Sequence, residues 1–315
     1  MLPKISIITP SYNQAQFIER TILSVLNQNY PNLEYIIIDG GSTDGSVDII
    51  KKYADRLTYW ISEKDKGTFD ANNKALAKIT GDYWCVLNSD DVLIDGALKR
   101  ISEVVSEKPN QKWIVGGVKY INETDDITGE EIPVKPESIA GYTFLHGCWI
   151  SHPTVFLHKS LIDEIGVFHK YHLMDMNYWL RMENKGYQPY ILNEYIACLR
   201  DHQDCKSSDR VKLQEEYIKV FDDFISEYNL LGDKAIQSKR KFNFLFFYKM
   251  RIAYSLVKRE RLIALKLLIR LIKIQPLIIV SKWYLGAIKR LVFGVSANDP
   301  LRIQFPDVIK KGNWN

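Results

Sequence analysis

An acidic pair closes an apolar run in this chain: Tyr83–Leu87 (YWCVL) is followed at once by Asn88-Ser89-Asp90-Asp91. Two carboxylates beside an amide in a turn suit a hard divalent cation, which keeps several waters and bridges substrate phosphates. The alternative for the same residues is a strand-to-helix turn, with an aspartate capping a helix that begins near Ile94. Two familiar phosphate motifs fail. Gly40–Gly45 has the glycine spacing of a P-loop, but Ser46-Val47 follows where Lys-Ser/Thr is required, so no lysine reaches a γ-phosphate. Thr9–Asn13 contains no glycine, which removes dinucleotide binding of the GxGxxG kind. Five of the six histidines lie between His146 and His172 and the sixth is His202, at spacings that match no common zinc ligand set. Cys85, Cys148, Cys198 and Cys205 are too scattered for a disulfide framework and form no CxxC pair.

The elements that must position these residues alternate in type. Lys4–Thr9, Glu34–Asp39, Leu57–Ile61 and Tyr83–Leu87 are short apolar, β-branched or aromatic runs. Between them lie segments of helical periodicity, such as Phe17, Ile18, Thr21, Ile22, Val25 and Leu26. Strands separated by helices of this length imply βαβ units and a parallel sheet. Right-handed crossovers then bring the strand C-termini to one edge, where ligands bind in open α/β sheets. The polar clusters lie there: Thr9–Asn13, Asp39–Ser42, Glu63–Gly67 and Asn88–Asp91. The middle, about 112–205, is less regular. It carries expected strands at Trp113–Tyr120 and Ser151–His158, an exposed turn at Asn122–Gly129 and a short helix at Asp175–Lys185. A longer charged helix is expected from about Ser207 to Leu230.

Four segments occur in order: ISIITPSYNQAQFIERTILSVLNQ (5–28), EYIIIDGGSTDGS (34–46), SEKDKGTFDANNKAL (62–76) and GDYWCVLNSDD (81–91). Together they resemble family 2 of the inverting, nucleotide-sugar-dependent glycosyltransferases, in the flavour that builds bacterial capsule, exopolysaccharide or O-antigen. The resemblance covers about residues 4–205. It implies a GT-A-like α/β fold, with a mostly parallel central sheet flanked by helices. It places the base and ribose against Thr9, Pro10, Tyr12 and Asp39, where Asp39 can accept from a uracil imide and Tyr12 offers a stacking face. The other reading of Asp39 is an Asx turn before Gly40-Gly41. Asp65 and Asn73 stand at matched positions of the connector between donor and metal sites. Asn88-Ser89-Asp90 occupies the family's DxD position with its first acid replaced, so Asn88 is left to bond a ribose hydroxyl. Asp90 then becomes the ligand of Mn²⁺ or Mg²⁺, with Asp91 in support. His202, in an Arg-x-His on a later loop, is a further candidate to ligate the metal or contact phosphate, beside the reading of an ordinary polar surface histidine. The family's D-x-D-x-W/F-L-x-R pattern falls on Asp175–Arg181, which implies Asp175 as the catalytic base and leaves Asn177 in place of a second acid; the other reading of Asp175 is a cap of its helix. His152, Trp179 and Arg181 are then expected at the sugar pocket.

The 315 residues, 46% hydrophobic and 25% charged, describe an ordinary globular chain. The net charge of +4 hides an asymmetry. Residues 239–294 hold 14 Lys or Arg and one acid, Glu260, whereas residues 1–238 sum to −10. The basic segment mixes apolar runs with charge, and its longest uncharged stretch within 262–285 is Ile274–Ser281, too short to span a bilayer. It reads instead as two or three amphipathic helices, broken at Arg259–Arg261 and at Pro276. Such helices suit an anionic membrane surface; packing on protein, including a homodimer, is the competing reading, and no nucleic acid is expected. The organisation expected is therefore a donor half (1–91), an acceptor half (92–205), a connecting helix (206–238) and a basic helical appendage (239–315). The expected function is metal-dependent inverting transfer from a nucleotide-sugar donor, UDP-linked, to a glycan or polyprenyl-linked acceptor. The expected place is cytoplasmic, peripheral on the inner face of the membrane, since MLPKISIITP shows no signal peptide. Two alternatives stand beside it. A non-catalytic membrane scaffold would explain Asn88 and Asn177, and a sugar-nucleotide nucleotidyltransferase would want a basic, glycine-rich first loop that Ser11–Gln16 lacks.

Overall fold

The computed structural model describes residues 2–202, 205 and 210–295. The chain divides into two compact units, with the boundary between Gln203 and Asp204. The first unit is built on nine strands: β1 (Ile5–Ser11), β2 (Leu33–Asp39), β3 (Tyr59–Ser62), β4 (Tyr83–Val86), β5 (Val92–Leu93), β6 (Trp113–Ile121), β7 (Ile127–Glu131), β8 (Val155–His158) and β9 (Tyr190–Arg200). They form one sheet in the order β3-β2-β1-β4-β8-β6-β9-β5, with β7 paired to β6. The helices of this unit are α1 (Ile18–Leu26), α2 (Ser46–Lys52), α3 (Thr68–Leu76), α4 (Ala97–Glu107), α5 (Ser160–Ile165) and α6 (Met174–Asn184).

The expected parallel pairing holds from β3 through β2 and β1 to β4, and again between β6 and β9. Elsewhere the sheet is antiparallel, because β8 runs back beside both β4 and β6, and β5 beside β9. β1 is buried along its whole length, as a strand covered on both faces must be. Ile5, Ile7, Ile18, Ile22, Tyr35, Ile37 and Leu98 belong to one core cluster, which thus joins the sheet to α1 and α4. On the other strands' side, small Ala71 and Ala75 are buried on α3.

The first turns of chain are locked by a buried carboxylate. Glu34 accepts from the Ser6 hydroxyl (2.6 Å), from the Thr80 N–H (2.7 Å) and hydroxyl (2.6 Å), and pairs with Lys4 at 2.9 Å. Burial pushes its pKa up, but these donors outweigh burial and hold it at about 2, against an ordinary 4.5.

The second unit contains α7 (Arg210–Glu227), α8 (Lys234–Val257), α9 (Arg261–Ile274) and α10 (Lys282–Phe293). The breaks fall at 258–260 and 275–281, where the charge cluster and Pro276 were expected to interrupt the helices. Ile252, Leu256, Ala264, Leu268, Leu271, Ile278, Tyr284 and Ala287 form its core. Among the described residues no helix is long and apolar enough to cross a membrane.

Glu34 sets a pH window. A carboxylate with a lowered folded pKa contributes stability above its unfolded pKa and loses it as pH falls. A shift from 4.5 to about 2 corresponds to about 3 kcal/mol. Glu34→Gln is expected to cost roughly that amount above pH 4.5 and to converge with the wild type near pH 2. Paired urea titrations across this range measure it; a pH-independent gap would contradict the assignment.

Candidate active site

The sheet topology brings one set of loops to one edge. β1, β2, β3 and β4 run the same way, so Tyr12, Gly40, Asp65 and Asn88 all follow strand ends on that side. β8 opposes β4, with Trp84 opposite Leu157, so the turn His152–Thr154 that precedes β8 lies beside the end of β4. The Cys85 thiol meets the Pro153 carbonyl at 3.5 Å, which confirms the neighbourhood. β9 runs parallel to β6 and antiparallel to β8's direction, so Arg200 and His202 reach the same edge.

Asp39 ends β2 with no exposure. Its Oδ2 accepts from the N–H groups of Gly41 (3.0 Å) and Ser42 (2.9 Å) and from the Ser62 hydroxyl (2.7 Å), while Oδ1 accepts from the Ser42 hydroxyl. The Asx turn is therefore present, and Oδ1 keeps an acceptor position beyond its single partner. Gly40 is required by crowding: a Cβ there would stand 2.8 Å from Asp65 Oδ2 and 3.3 Å from Tyr12 Cδ2. Tyr12 and Asp65 thus converge over the turn, and the Tyr12 ring is exposed. The Tyr12 loop is stitched to the glycine-rich loop. Asn13 N–H donates to the Ser42 hydroxyl (2.7 Å), Thr43 N–H to Asn13 Oδ1 (2.9 Å), and Ala15 N–H to Asp44 (2.9 Å). The glycine-rich stretch is a brace for the first loop rather than a phosphate cradle.

Asp90 is held by a buried cation. Arg200 donates from Nε to the Asp90 carbonyl (2.9 Å), from Nη1 to the Asn122 carbonyl (2.6 Å) and from Nη2 to Asp125. Its guanidinium lies 4.8 Å from the Phe17 ring centroid. The Asp90 carboxylate is left partly exposed, with Oδ2 at 3.0 Å from His202 Nε2. His202 is stacked obliquely on Phe17, centroids 4.7 Å apart. One carboxylate oxygen and one imidazole nitrogen form a donor set that fits a divalent ion completed by substrate oxygens and water. No cluster of three His, Cys, Asp or Glu side chains able to hold a metal occurs among the described residues.

Asp175 lies in the first turn of α6. Its Oδ1 accepts from the Met176 N–H at 2.9 Å, and its Oδ2 faces His152 Nδ1 at 3.5 Å. His152 meets Trp179 edge-on, centroids 6.1 Å apart. Two acid–imidazole pairs therefore stand at this edge: Asp90–His202 after β4 and β9, and Asp175–His152 between the start of α6 and the turn before β8.

Several expected site residues are engaged elsewhere. The Thr9 hydroxyl is buried against Tyr35 Oη at 3.1 Å, and Pro10 is buried with it in β1. Asn73 spends its amide on the Phe168 backbone, donating to the carbonyl (2.8 Å) and accepting from the N–H (2.9 Å). Asp91 is buried: it accepts from the Arg200 N–H and the Asn88 amide, both at 3.1 Å. Burial, with Asp90 beside it, raises its pKa well above the ordinary value. Trp179 stacks on Trp113 in the core, centroids 5.5 Å apart. Arg181 donates to the carbonyls of Ile165 (2.8 Å) and Val167 (2.7 Å) and to Asn177 Oδ1 (3.1 Å), clamping the segment after α5. Asn88, which donates to Asp91, and Asn177, which accepts from Arg181, are engaged in the same way. Missed from sequence were the roles of Arg200, Phe17 and Glu183. Glu183 accepts from the Thr143 N–H (2.9 Å) and the Phe144 N–H (3.2 Å), fixing the loop that leads to His152.

Asp90 and Asp91 should separate by experiment. Asp91→Ala strands the buried Arg200 N–H and leaves the half-buried Asn88 amide without its acceptor, so it is expected to lose about 1–3 kcal/mol of stability. Asp90→Asn should melt like the wild type yet lose metal-dependent nucleotide binding. Differential scanning fluorimetry with and without Mn²⁺ and nucleotide checks both; reversed phenotypes would exchange the two roles.

Comparison with known proteins agrees with this geometry. The model of the family described as "Glycosyl transferase family 2" matches residues 6–166, which span the loops of Tyr12, Asp39, Asp65 and Asp90 but stop short of Asp175. TuaG of Bacillus subtilis, named as a glycosyltransferase of teichuronic acid biosynthesis, is 32% identical over 67% of this chain and 84% of its own length. WfgD of Escherichia coli, named a UDP-Glc:α-D-GlcNAc-diphosphoundecaprenol β-1,3-glucosyltransferase, is 31% identical over 70% of this chain and 86% of its own. Among solved structures, the mannosyltransferase PcManGT of Pyrobaculum calidifontis, in complex with GDP-Man and Mn²⁺, superposes with a TM-score of 0.58 at 14% identity, covering 93% of this chain and 88% of that one. Sequence match, sheet topology and structural likeness coincide on the unit that carries the acid–imidazole pairs, and the chain belongs to glycosyl transferase family 2.

Proposed function

We propose that this glycosyltransferase is metal-dependent and inverting, moving a sugar from a UDP-linked donor to a hydroxyl of a glycan or polyprenyl-linked acceptor in bacterial surface polysaccharide synthesis. The observation that carries the reading is the emergence of Asp90–His202 and Asp175–His152 at one sheet edge. UDP and a diphosphate-lipid acceptor are suggested by the name of WfgD, and a divalent ion by the Mn²⁺ complex of PcManGT.

In this reading the nucleobase stacks on the exposed Tyr12 ring, with Asp39 accepting from its imide and Asp65 and Asn88 near the ribose. Asp90 and His202 would hold Mn²⁺ or Mg²⁺, which supplies charge neutralisation and Lewis acidity at the diphosphate. Asp175 takes the proton of the acceptor hydroxyl, whose oxygen forms the new bond to the anomeric carbon. The bond to the diphosphate oxygen breaks on the opposite face, so configuration inverts. His152 steers the Asp175 carboxylate, and α6 sets it at a helix start, where the dipole favours the ionised form. The C-terminal helices, basic and apolar together, support a peripheral site on an anionic membrane, where a lipid-linked acceptor would lie.

Thermal melts with UDP, GDP, CDP and dTDP, each with and without Mn²⁺, test the donor site. A ligand at ~100 times its Kd adds ~2.7 kcal/mol. Asp175→Asn is expected to keep the nucleotide shift while transfer falls about 10²–10⁴-fold, the range of general-base catalysis. Full transfer by that variant would remove the base assignment, and retention of the donor anomer, read by proton NMR of the product, would remove inversion.

A further inference from the structure

Between α9 and α10 the chain makes a five-residue 3₁₀ turn, Pro276–Val280 (PLIIV). Three of its side chains are turned away from the protein: Leu277 is 78% exposed, Val280 74% and Ile279 45%. Ile278 alone is buried, within the helical core that holds Leu271, Tyr284 and Ala287. The turn is rigidly presented, because the Ser281 hydroxyl donates to the Ile278 carbonyl at 2.7 Å and accepts the Tyr284 N–H at 3.1 Å. Exposed Lys273 stands just before it and exposed Lys282 just after. A branched apolar tip between two lysines has no use in water, since a local core would bury it and a solvated turn would be polar.

We propose that Pro276–Val280 is the element by which this chain inserts into an anionic bilayer leaflet, with Leu277, Ile279 and Val280 entering the acyl boundary and Lys273 and Lys282 meeting lipid phosphates. This rests on the membrane reading of the C-terminal helices and adds which residues enter the lipid. The charge pattern selects the occupant. Residues 239–294 carry 14 bases and the single acid Glu260, so a two-fold contact with a second copy would set like charges against each other, whereas an anionic leaflet neutralises them. A nucleic acid would neutralise the bases but leave the apolar tip in water. The outer face of α9 continues the pattern, with exposed Leu262, Leu265 and Ile269 beside exposed Lys266 and Arg270, as in helices that lie in a membrane interface.

The test is flotation of the full chain with vesicles of phosphatidylcholine alone, or with about a third phosphatidylglycerol. The wild type should float with the anionic vesicles only. Leu277→Asn/Val280→Asn should weaken binding about 100-fold, while its melting temperature and UDP-dependent melting shift stay as in the wild type. Lys273→Gln/Lys282→Gln, which leaves the apolar tip intact, should weaken binding about fivefold per lysine and lose more at low salt than at high. A wild type that binds neither vesicle would overturn the membrane reading itself. A wild type that binds while the Leu277/Val280 variant binds equally would overturn the turn as inserting element and leave that reading standing. A dimer, measured by sedimentation and abolished by the same two substitutions, would overturn the lipid occupant in favour of a second copy.

Discussion

A guanidinium keeps its charge at any pH a protein meets, so burying Arg200 obliges the surrounding chain to come to it. Its donors reach the carbonyl of Asp90, the carbonyl of Asn122 and the carboxylate of Asp125, while its own backbone N–H is accepted by Asp91. Phe17 covers its face. Four segments, the end of β4, the end of β9, the hairpin before β7 and the start of α1, are thereby fixed to one group. Removing the acceptors of a buried guanidinium leaves its charge uncompensated, a penalty larger than the net worth of any one of the bonds. The position of Asp90, and through it of His202, depends on that obligation.

The same physics divides the carboxylates of the edge into those that hold and those that face outward. Asp39, Asp91 and Glu183 are buried and accept backbone N–H groups, which converts loops into defined turns. Asp90 and Asp175 keep partial exposure, and each faces an imidazole. A carboxylate engaged by such donors keeps limited capacity for a further partner, as Asp39 does at Oδ1, whereas Asp90 and Asp175 each present an oxygen toward a histidine at the edge. The asparagines join this network: Asn88 donates its amide to Asp91, where an acid would set like charges together, and Asn177 accepts from Arg181.

Much of the fold was legible along the chain because its causes are local. Runs such as ISIIT and EYIIID suit strands covered on both faces, and Pro276 cannot continue the helix that ends just before it. The order Tyr12, Asp39, Asp65, Asp90 follows four strand ends, and the parallel pairing of those strands brings the four loops to one edge. Less legible were β5, only two residues long, β7, largely exposed, and β9, where Asn193 and Glu194 interrupt the alternation. These strands exist because neighbours offer a ladder to pair with, and a neighbour is not written in a local pattern.

The site shows the same boundary. Residue type and spacing determined which side chains could bind a metal, a base or a proton, because that capacity belongs to the functional group. Which of them are available was decided by tertiary partners far away in sequence. Asn73 is taken by Phe168, Asp91 by Arg200, and Arg181 by the carbonyls of Ile165 and Val167. His152 turns from a sugar-pocket candidate into the neighbour of Asp175. A buried polar group must find a partner wherever the fold supplies one, so the sequence determined the chemistry each side chain can perform, and the packed structure determined which of that chemistry remains to be used.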